Sequence, residues 1–331
     1  MKKTLARKIT DIWYKDIIIG GWFMPFGFLF ADIVRFRKFL YRHNIGQFKT
    51  ERLPVPVVIV GNITVGGTGK TPLIIALTKQ LQQAGYNVGI ISRGYGGDSV
   101  PRMVTADSDP QQVGDEALLI AQQTACPMAV APLRVAAGQL LLEHAECNVI
   151  LSDDGLQHYA LHRDIEIAVI DGERRFGNGY CLPAGPLREP IHRLQSVDFI
   201  VVNGEKSEPN EFEMHITGDT AVNLVTGERK PLSAFAGAEP LHALAGIGNP
   251  DRFFKLLTAN GLTFTAHSFP DHYVFQAQDI NFKTPVLMTE KDAVKCTAFA
   301  TEQHWFVPVT ATLNSQFTEQ LLTLLEKKYD R

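Results

Sequence analysis

The chain has 331 residues, 45% hydrophobic and 20% charged, which is enough apolar mass for one large or two ordinary globular domains and excludes a disordered chain. A formal net charge of -3 excludes a general electrostatic pull toward nucleic acid. The four cysteines, Cys126, Cys147, Cys181 and Cys296, show neither a Cys-x-x-Cys nor a zinc spacing, and read as free thiols of a reducing compartment.

Positive charge is concentrated at the start: residues 1–52 carry 11 Lys and Arg against four acids. Within them lies the apolar run Ile17 to Ala31, "IIIGGWFMPFGFLFA". As a helix it would reach about 22 Å, against a hydrocarbon core of about 30 Å, so it is too short to span. Pro25 and the pair Gly20-Gly21 weaken a continuous helix, whereas Trp22 and the phenylalanines suit a membrane interface. No small-residue cleavage site follows before Arg35, which argues against a signal peptide. The expectation is a membrane-associating segment over 1–50, monotopic through residues 17–31, with cationic flanks on anionic headgroups. The alternative is a helix hairpin buried against the core.

From Pro54 short apolar runs alternate with helical patterns. Strands are predicted at Val57 to Val60, Val88 to Ser92, Met128 to Ala131, Asn148 to Ser152, Ile165 to Asp171 and Phe199 to Val202. Helices are predicted at Pro72 to Ala84, Asp115 to Thr124 and Val135 to Ala145. The strands are continuous Val/Ile runs, as expected where helices cover both faces of a parallel sheet. This reads as an α/β doubly wound, P-loop NTPase-like core over residues 51–205. Beyond Asn203 the pattern changes: Phe212 to Ile216 and Ala221 to Val225 flank "TGDT", which predicts a β-hairpin linker over 206–235. Strands at Leu241 to Gly246, Thr263 to Ser268, Pro285 to Thr289 and Trp305 to Val309, with helices at Asp251 to Asn260, Asp292 to Ala300 and Ser315 to Lys328, predict a smaller C-terminal α/β domain over 236–331.

The turn between the first predicted strand and helix is "GNITVGGTGKTP". Gly66, Gly67, Thr68 and Gly69 would bring backbone N–H groups onto phosphate oxygens at a helix N-terminus. Lys70 would then meet the terminal phosphates, and Thr71 would ligate Mg²⁺. The G-x-x-x-x-G-K-T pattern strictly fails, because Thr64 stands where its first glycine belongs. "NVILSDDGLQH" adds Asp153 and Asp154 at the end of an apolar strand, on the side where parallel sheets bind ligands; one can hold Mg²⁺ and the other orient a ligand. Alone, such a pair is more often a turn or a helix cap.

Taken together, "VGNITVGGTGKTP", "ISRGYGG", "VGDEALL", "LSDDGLQH", "DGERRFGNG", "LPAGPLREP" and "FPDHY" resemble the tetraacyldisaccharide 4'-kinase family over nearly the whole chain, and the family pattern shares Thr64. The resemblance implies transfer of the ATP γ-phosphoryl, with Mg²⁺, to the 4'-hydroxyl of a lipid A disaccharide precursor at the cytoplasmic face of the inner membrane. It implies that lipid surface as a partner, with no nucleic acid and no obligate protein partner. It assigns general-base work to Asp115 of "VGDE" with His272 of "FPDHY". From the residues alone, Asp115 reads equally as a helix cap and His272 as a solvated histidine. Glu116 is expected in the Mg²⁺ network, and Arg134, Gln157 and His158 at the acceptor or the transferring phosphate. Arg93, Arg174, Arg175 and Arg188 lie in loops that could clamp phosphates. "TEKDAVK", Thr289 to Lys295, looks functional in a C-terminal loop, although no role for it is derivable from sequence. A competing class, a membrane-associated ATPase switch, carries K-G-G-x-G-K-T; here Val65 stands in place of that first lysine. A soluble small-molecule kinase is the other alternative.

Overall fold

The computed structural model describes residues 12–14, 22–237 and 240–329. Helix α1 (Met24–Arg42) precedes β1 (Val57–Gly61), α2 (Lys70–Gln83), β2 (Val88–Ser92), β3 (Arg102–Val104), α3 (Asp115–Thr124), β4 (Met128–Val130), α4 (Arg134–His144), β5 (Val149–Asp153), β6 (Ile165–Asp171), β7 (Phe199–Asn203) and β8 (Glu211–Thr217). With β15 (Thr310–Leu313) these strands form one nine-stranded sheet in the order β15-β8-β7-β6-β1-β5-β2-β4-β3. Pairings from β8 to β4 are parallel; β15 and β3 are antiparallel edges.

Every residue of β1, β2, β5, β6 and β7 is buried, which is why their sequences do not alternate. Val58 and Val60 pack under α2, α3 and the C-terminal helix α7 (Ser315–Tyr329), while Val57 and Ile59 face α1 and α4. After β5 the chain passes to the other side of β1 to form β6, so the strand order reverses at β1. The crevice beyond the carboxyl ends of these strands is where such sheets bind ligands.

The second sheet comprises β9 (Thr220–Asn223), β10 (Arg229–Pro231), β11 (His242–Ala245), β12 (Thr265–Ser268), β13 (Val286–Thr289) and β14 (His304–Val307), in the order β10-β9-β14-β13-β11-β12. Helices α5 (Pro250–Ala259) and α6 (Glu290–Cys296) accompany it.

Two expectations need correction. The "TGDT" segment does not close a hairpin: β8 continues the first sheet beside β7, whereas β9 pairs with β10 and β14 in the second. Burial decides this, since Phe212 packs tilted against Phe199 and edge-on against Phe317 on the first sheet, while Ala221 enters the core of the second. The C-terminal stretch also does not stay in one domain, because β15 pairs with β8 and Phe317, Leu321 and Leu325 of α7 fill the first core.

Of the apolar run expected to anchor the chain, residues 17–21 lie outside the described residues. Trp22 and Phe23 form a turn, the run is helical from Met24, and α1 goes on past Ala31 to Arg42. Pro25 does not interrupt it, because it sits in the first turn, where a missing N–H costs nothing. Nor is α1 a hairpin buried on the core. Gly27 and Ala31 face the body, while Phe23, Phe26, Leu29, Ile33 and Phe36 recur at helical spacing on an exposed face, next to Trp22 at 84% exposure. Among the described residues, no helix is long and apolar enough to cross a membrane.

Candidate active site

The glycine-rich turn leaves β1 and enters α2 through Gly69, whose φ of 100° is left-handed. A Cβ there would lie 2.5 Å from the Asn203 side-chain nitrogen, which donates to the Thr68 carbonyl at 3.1 Å, so glycine is required on both counts. The turn is braced by the "LPAGPLREP" loop: Val65 N donates to Pro186 O at 2.8 Å and Arg188 N to Ile63 O at 2.7 Å. Lys70 Nζ lies 3.5 Å from Asp154 Oδ1, and Thr71 sits half-buried in the first turn of α2.

Across from it, the Gly246 to Pro250 loop of the second domain rests on Gly66 and Gly67; a Cβ on Gly67 would be 3.5 Å from Asn249 N. Asp171, at the end of β6, holds that loop in place. Its carboxylate accepts from Asn249 Nδ2 at 3.0 Å and Arg252 Nη2 at 2.8 Å, while Arg174 Nη1 donates to Gly248 O at 3.0 Å.

The two carboxylates at the end of β5 differ in state. Asp153 is buried, with Oδ2 accepting from Ser92 Oγ at 3.1 Å and Oδ1 lacking any hydrogen-bond partner among the described residues. Burial, with the nearby charges of Glu116 and Asp154, raises its pKa well above the usual carboxylate range. Asp154 has a left-handed φ of 46° and pairs with Arg188 Nη1 at 2.9 Å. Burial opposes its ionisation, but Lys70 and Arg188 outweigh that and lower its pKa. The orphaned Asp153 oxygen, on the residue next to the carboxylate that Lys70 meets, fits a cation. Among the described residues no three His, Cys, Asp or Glu side chains could form a closed cage, but Mg²⁺ commonly takes only one or two carboxylates, with phosphate and water completing its shell.

All three residues expected at the acceptor line the cleft, and two of them also have partners within the protein. Arg134 is buried and donates from Nη2 to the carbonyls of Asp153 (2.8 Å) and Asp154 (3.2 Å), clamping the end of β5; its Nε and Nη1 have no hydrogen-bond partner among the described residues. Gln157 Nε2 bridges Asn62 O at 3.1 Å and Glu189 Oε1 at 2.8 Å. His158 lines the cleft, and burial with the charges of Arg134 and Arg93 pushes its pKa down to about 3, so it is neutral at physiological pH. Arg188 and Arg174 serve the contacts above and Arg93 lines the cleft, but Arg175 is turned away in a two-bonded pair with Glu211.

Asp115 is the first residue of α3 rather than its cap, which is Gly114 at a φ of 88°. His272, in a loop of the second domain at a φ of 56°, places Nδ1 3.1 and 3.2 Å from the two Asp115 oxygens and tilts its ring against Tyr95. Burial would raise the pKa of Asp115, but the His272 hydrogen bond and the charges of Lys291 and Lys295 hold it down at about 2. His272 moves the other way: burial disfavours its charged form, yet the Asp115 hydrogen bond raises its pKa overall. Glu116 is taken up by Lys291, whose Nζ lies 2.8 Å from Oε1. Lys295 Nζ is 3.7 Å from Asp115 Oδ2. "TEKDAVK" thus supplies two cations to the catalytic candidates.

The phosphate loop, Asp153, Asp154, Glu116 and His272 line one cleft of about 2610 Å³ between the domains. Pockets for a single small ligand are typically about 300–1,000 Å³, so the cleft has room for two substrates at once. Asp171, Asn203 and Asn249 escaped the sequence reading. The first two had a usable signal, being polar residues that close apolar strands at the carboxyl edge of the sheet.

A family profile described as Tetraacyldisaccharide-1-P 4'-kinase matches residues 20–326. A protein of Nitrosococcus oceani named tetraacyldisaccharide 4'-kinase is 52% identical over 323 residues, covering 96% of this chain and 94% of that one. One of the same name from Methylobacillus flagellatus is 48% identical, covering 100% and 99%. A crystal structure of LpxK from Aquifex aeolicus in complex with ATP superposes with a TM-score of 0.77 at 28% identity, covering 93% of this chain and 100% of that one.

Proposed function

Because the chain belongs to the tetraacyldisaccharide 4'-kinase family, we propose that it transfers the γ-phosphoryl group of ATP to the 4'-hydroxyl of a tetraacyldisaccharide 1-phosphate, a lipid A precursor, giving ADP and the 4'-phosphorylated lipid. The observation that carries this reading is that the phosphate loop of one domain and His272 of the other line one cleft, with the imidazole held by the buried Asp115 carboxylate behind it.

The N–H groups of Gly66 to Gly69 and the Lys70 ammonium bind the ATP phosphates and stabilise charge that builds up during transfer. Thr71 and Asp153 would hold Mg²⁺, with Asp154 and Glu116 around it; the bound ion supplies neutralisation of the phosphate charge. A sugar hydroxyl is a weak nucleophile at neutral pH, and its proton passes to the Asp115–His272 pair as the phosphoryl bond forms. Asp115, held at about 2 by the His272 hydrogen bond and the two lysines, is a poor base alone, and the proton is retained by the imidazole, whose pKa the same hydrogen bond raises. Arg134 fixes the β5 end, and neutral His158 faces the cleft without adding charge.

The exposed aromatic face of α1, with Arg35, Lys38 and Arg42 on the same helix, supports shallow insertion at the cytoplasmic face of the inner membrane. There the kinase reaches a headgroup whose acyl chains stay in the bilayer. No protein partner is needed for this scheme. The test is incubation of purified enzyme with Mg·ATP and tetraacyldisaccharide 1-phosphate in detergent, followed by mass analysis. The expected product gains one phosphoryl group, and Asp115→Ala enzyme makes almost none. ATP hydrolysis without a phosphorylated lipid would instead support the ATPase switch.

A further inference from the structure

Glu116 follows Asp115 in the chain, and Asp271 precedes His272. One ammonium group joins these two neighbours: Lys291 Nζ lies 2.8 Å from Glu116 Oε1 and 3.0 Å from Asp271 Oδ1. It stands 4.0 Å from Asp115 Oδ2, and its side chain is 12% exposed. The mount beneath it is firm. Thr289 caps α6 by accepting from Asp292 N at 3.2 Å, and the fully buried Asp292 accepts from Thr289 Oγ1 at 2.6 Å and from Gly246 N at 2.8 Å. The same turn of helix therefore fixes both Lys291 and the start of the loop that rests on Gly66 and Gly67.

We propose that Lys291 is a positioning residue: by bridging Glu116 and Asp271 it holds the His272 loop of the second domain against the Asp115 helix of the first, so that the pair is assembled only when the domains are closed. Without a cation between them, Glu116 and Asp271 would repel across the gap. His272 depends on such restraint, because its φ of 56° is a conformation that a non-glycine residue keeps only where its surroundings impose it. Lys295, 3.7 Å from Asp115 Oδ2 and 2.7 Å from Asp292, approaches the same Asp115 oxygen. This inference rests on the reading of Asp115 and His272 as the proton-accepting pair.

The experiment is a kinetic cycle on the full-length enzyme in the detergent assay. Lys291→Met should lower kcat by about 10²-fold, the scale of a 1 Å misplacement, with little change in KM for ATP. Lys291→Arg, which can still bridge two carboxylates, should recover most of the loss. In a His272→Ala background, Lys291→Met should cost nothing further, because both act through one unit. Asp271→Asn cuts the loop end of the bridge at a part-exposed position, and carries the same test should Lys291→Met fail to fold. Equal losses in both backgrounds, or an unchanged kcat, would overturn the tether while leaving His272→Ala inactive. A fully active His272→Ala enzyme would instead overturn the pair, and the tether with it.

Discussion

Substituting Gly248 by alanine puts one methyl group into the contact between the domains. Its Cβ would lie 2.2 Å from Gly67 N and 3.0 Å from Gly66 C, where unstrained carbon contacts need about 3.5 Å. Both obstacles are backbone, so no side chain can swing aside. The loop must retreat by roughly 1 Å, or the phosphate loop must give way by as much. Retreat is resisted by the bonds from Asn249 and Arg252 to Asp171 and from Arg174 to Gly248 O, so strain spreads into the phosphate loop. A displacement of about 1 Å at catalytic groups costs about 10² in rate, or about 2.7 kcal/mol of barrier. Gly248 belongs to none of the apolar cores, so the melting temperature should barely move. Steady-state kinetics for ATP, with a thermal melt by circular dichroism, measure both quantities. Wild-type or raised kcat in Gly248→Ala would refute the view that this closed arrangement is the one that reacts.

Lys70→Ala and Thr71→Ala should each abolish product formation while leaving the melt unchanged, since they remove ligands for phosphate and Mg²⁺ rather than packing; normal activity in a folded variant would end the phosphate-loop assignment. Replacing Phe26, Leu29 and Ile33 together with serine should release the protein from anionic vesicles in flotation without affecting ATP binding. Phe30 is left out because it packs on the core, and persistent flotation at moderate salt would place the anchor elsewhere. Arg175→Met should cost about 2 kcal/mol at neutral pH by unpairing the buried Glu211. Burial raises the Glu211 pKa, but the Arg175 hydrogen bond and backbone donors leave it depressed overall, so this stabilisation is full above the usual value of 4.5 and is lost as pH falls through the folded value. Urea denaturation of both proteins should show the gap closing in acid, and a constant gap would contradict the pairing.

The first sheet was legible because burial on both faces leaves runs such as Val57 to Val60 with a single reading. The carboxylates at the end of β5 were legible for the same reason, as polar residues closing an apolar strand. "TGDT" misled because a turn signal is local, whereas the partner of β8 is chosen by where Phe212 finds Phe199 and Phe317, the last more than a hundred positions later. Asp115 and His272 were reachable through the family resemblance, not through spacing, since nothing in either segment points to the other. The segment of Lys291 stood out, but its role was not legible for a related reason: it meets Glu116 across a sequence separation of 175, and a lysine in a short helix ordinarily reads as a solvated charge.

The chain leaves the first sheet at Gly218 and comes back at Pro308, and the two passages touch: a Cβ on Gly218 would be 2.8 Å from Pro308 O. For a protein made from its N-terminus, this sets an order of events. When β8 emerges from the ribosome, one of its edges is an unpaired row of amides, and Phe199 and Phe212 lack the ring of Phe317. That edge stays open while residues 220–307 are translated, and closes only when β15 and α7 follow them. The domain that begins first is therefore completed last. A message truncated between residues 218 and 309 yields a chain with its phosphate loop intact and an exposed strand edge, a substrate for chaperones and proteases rather than a small kinase.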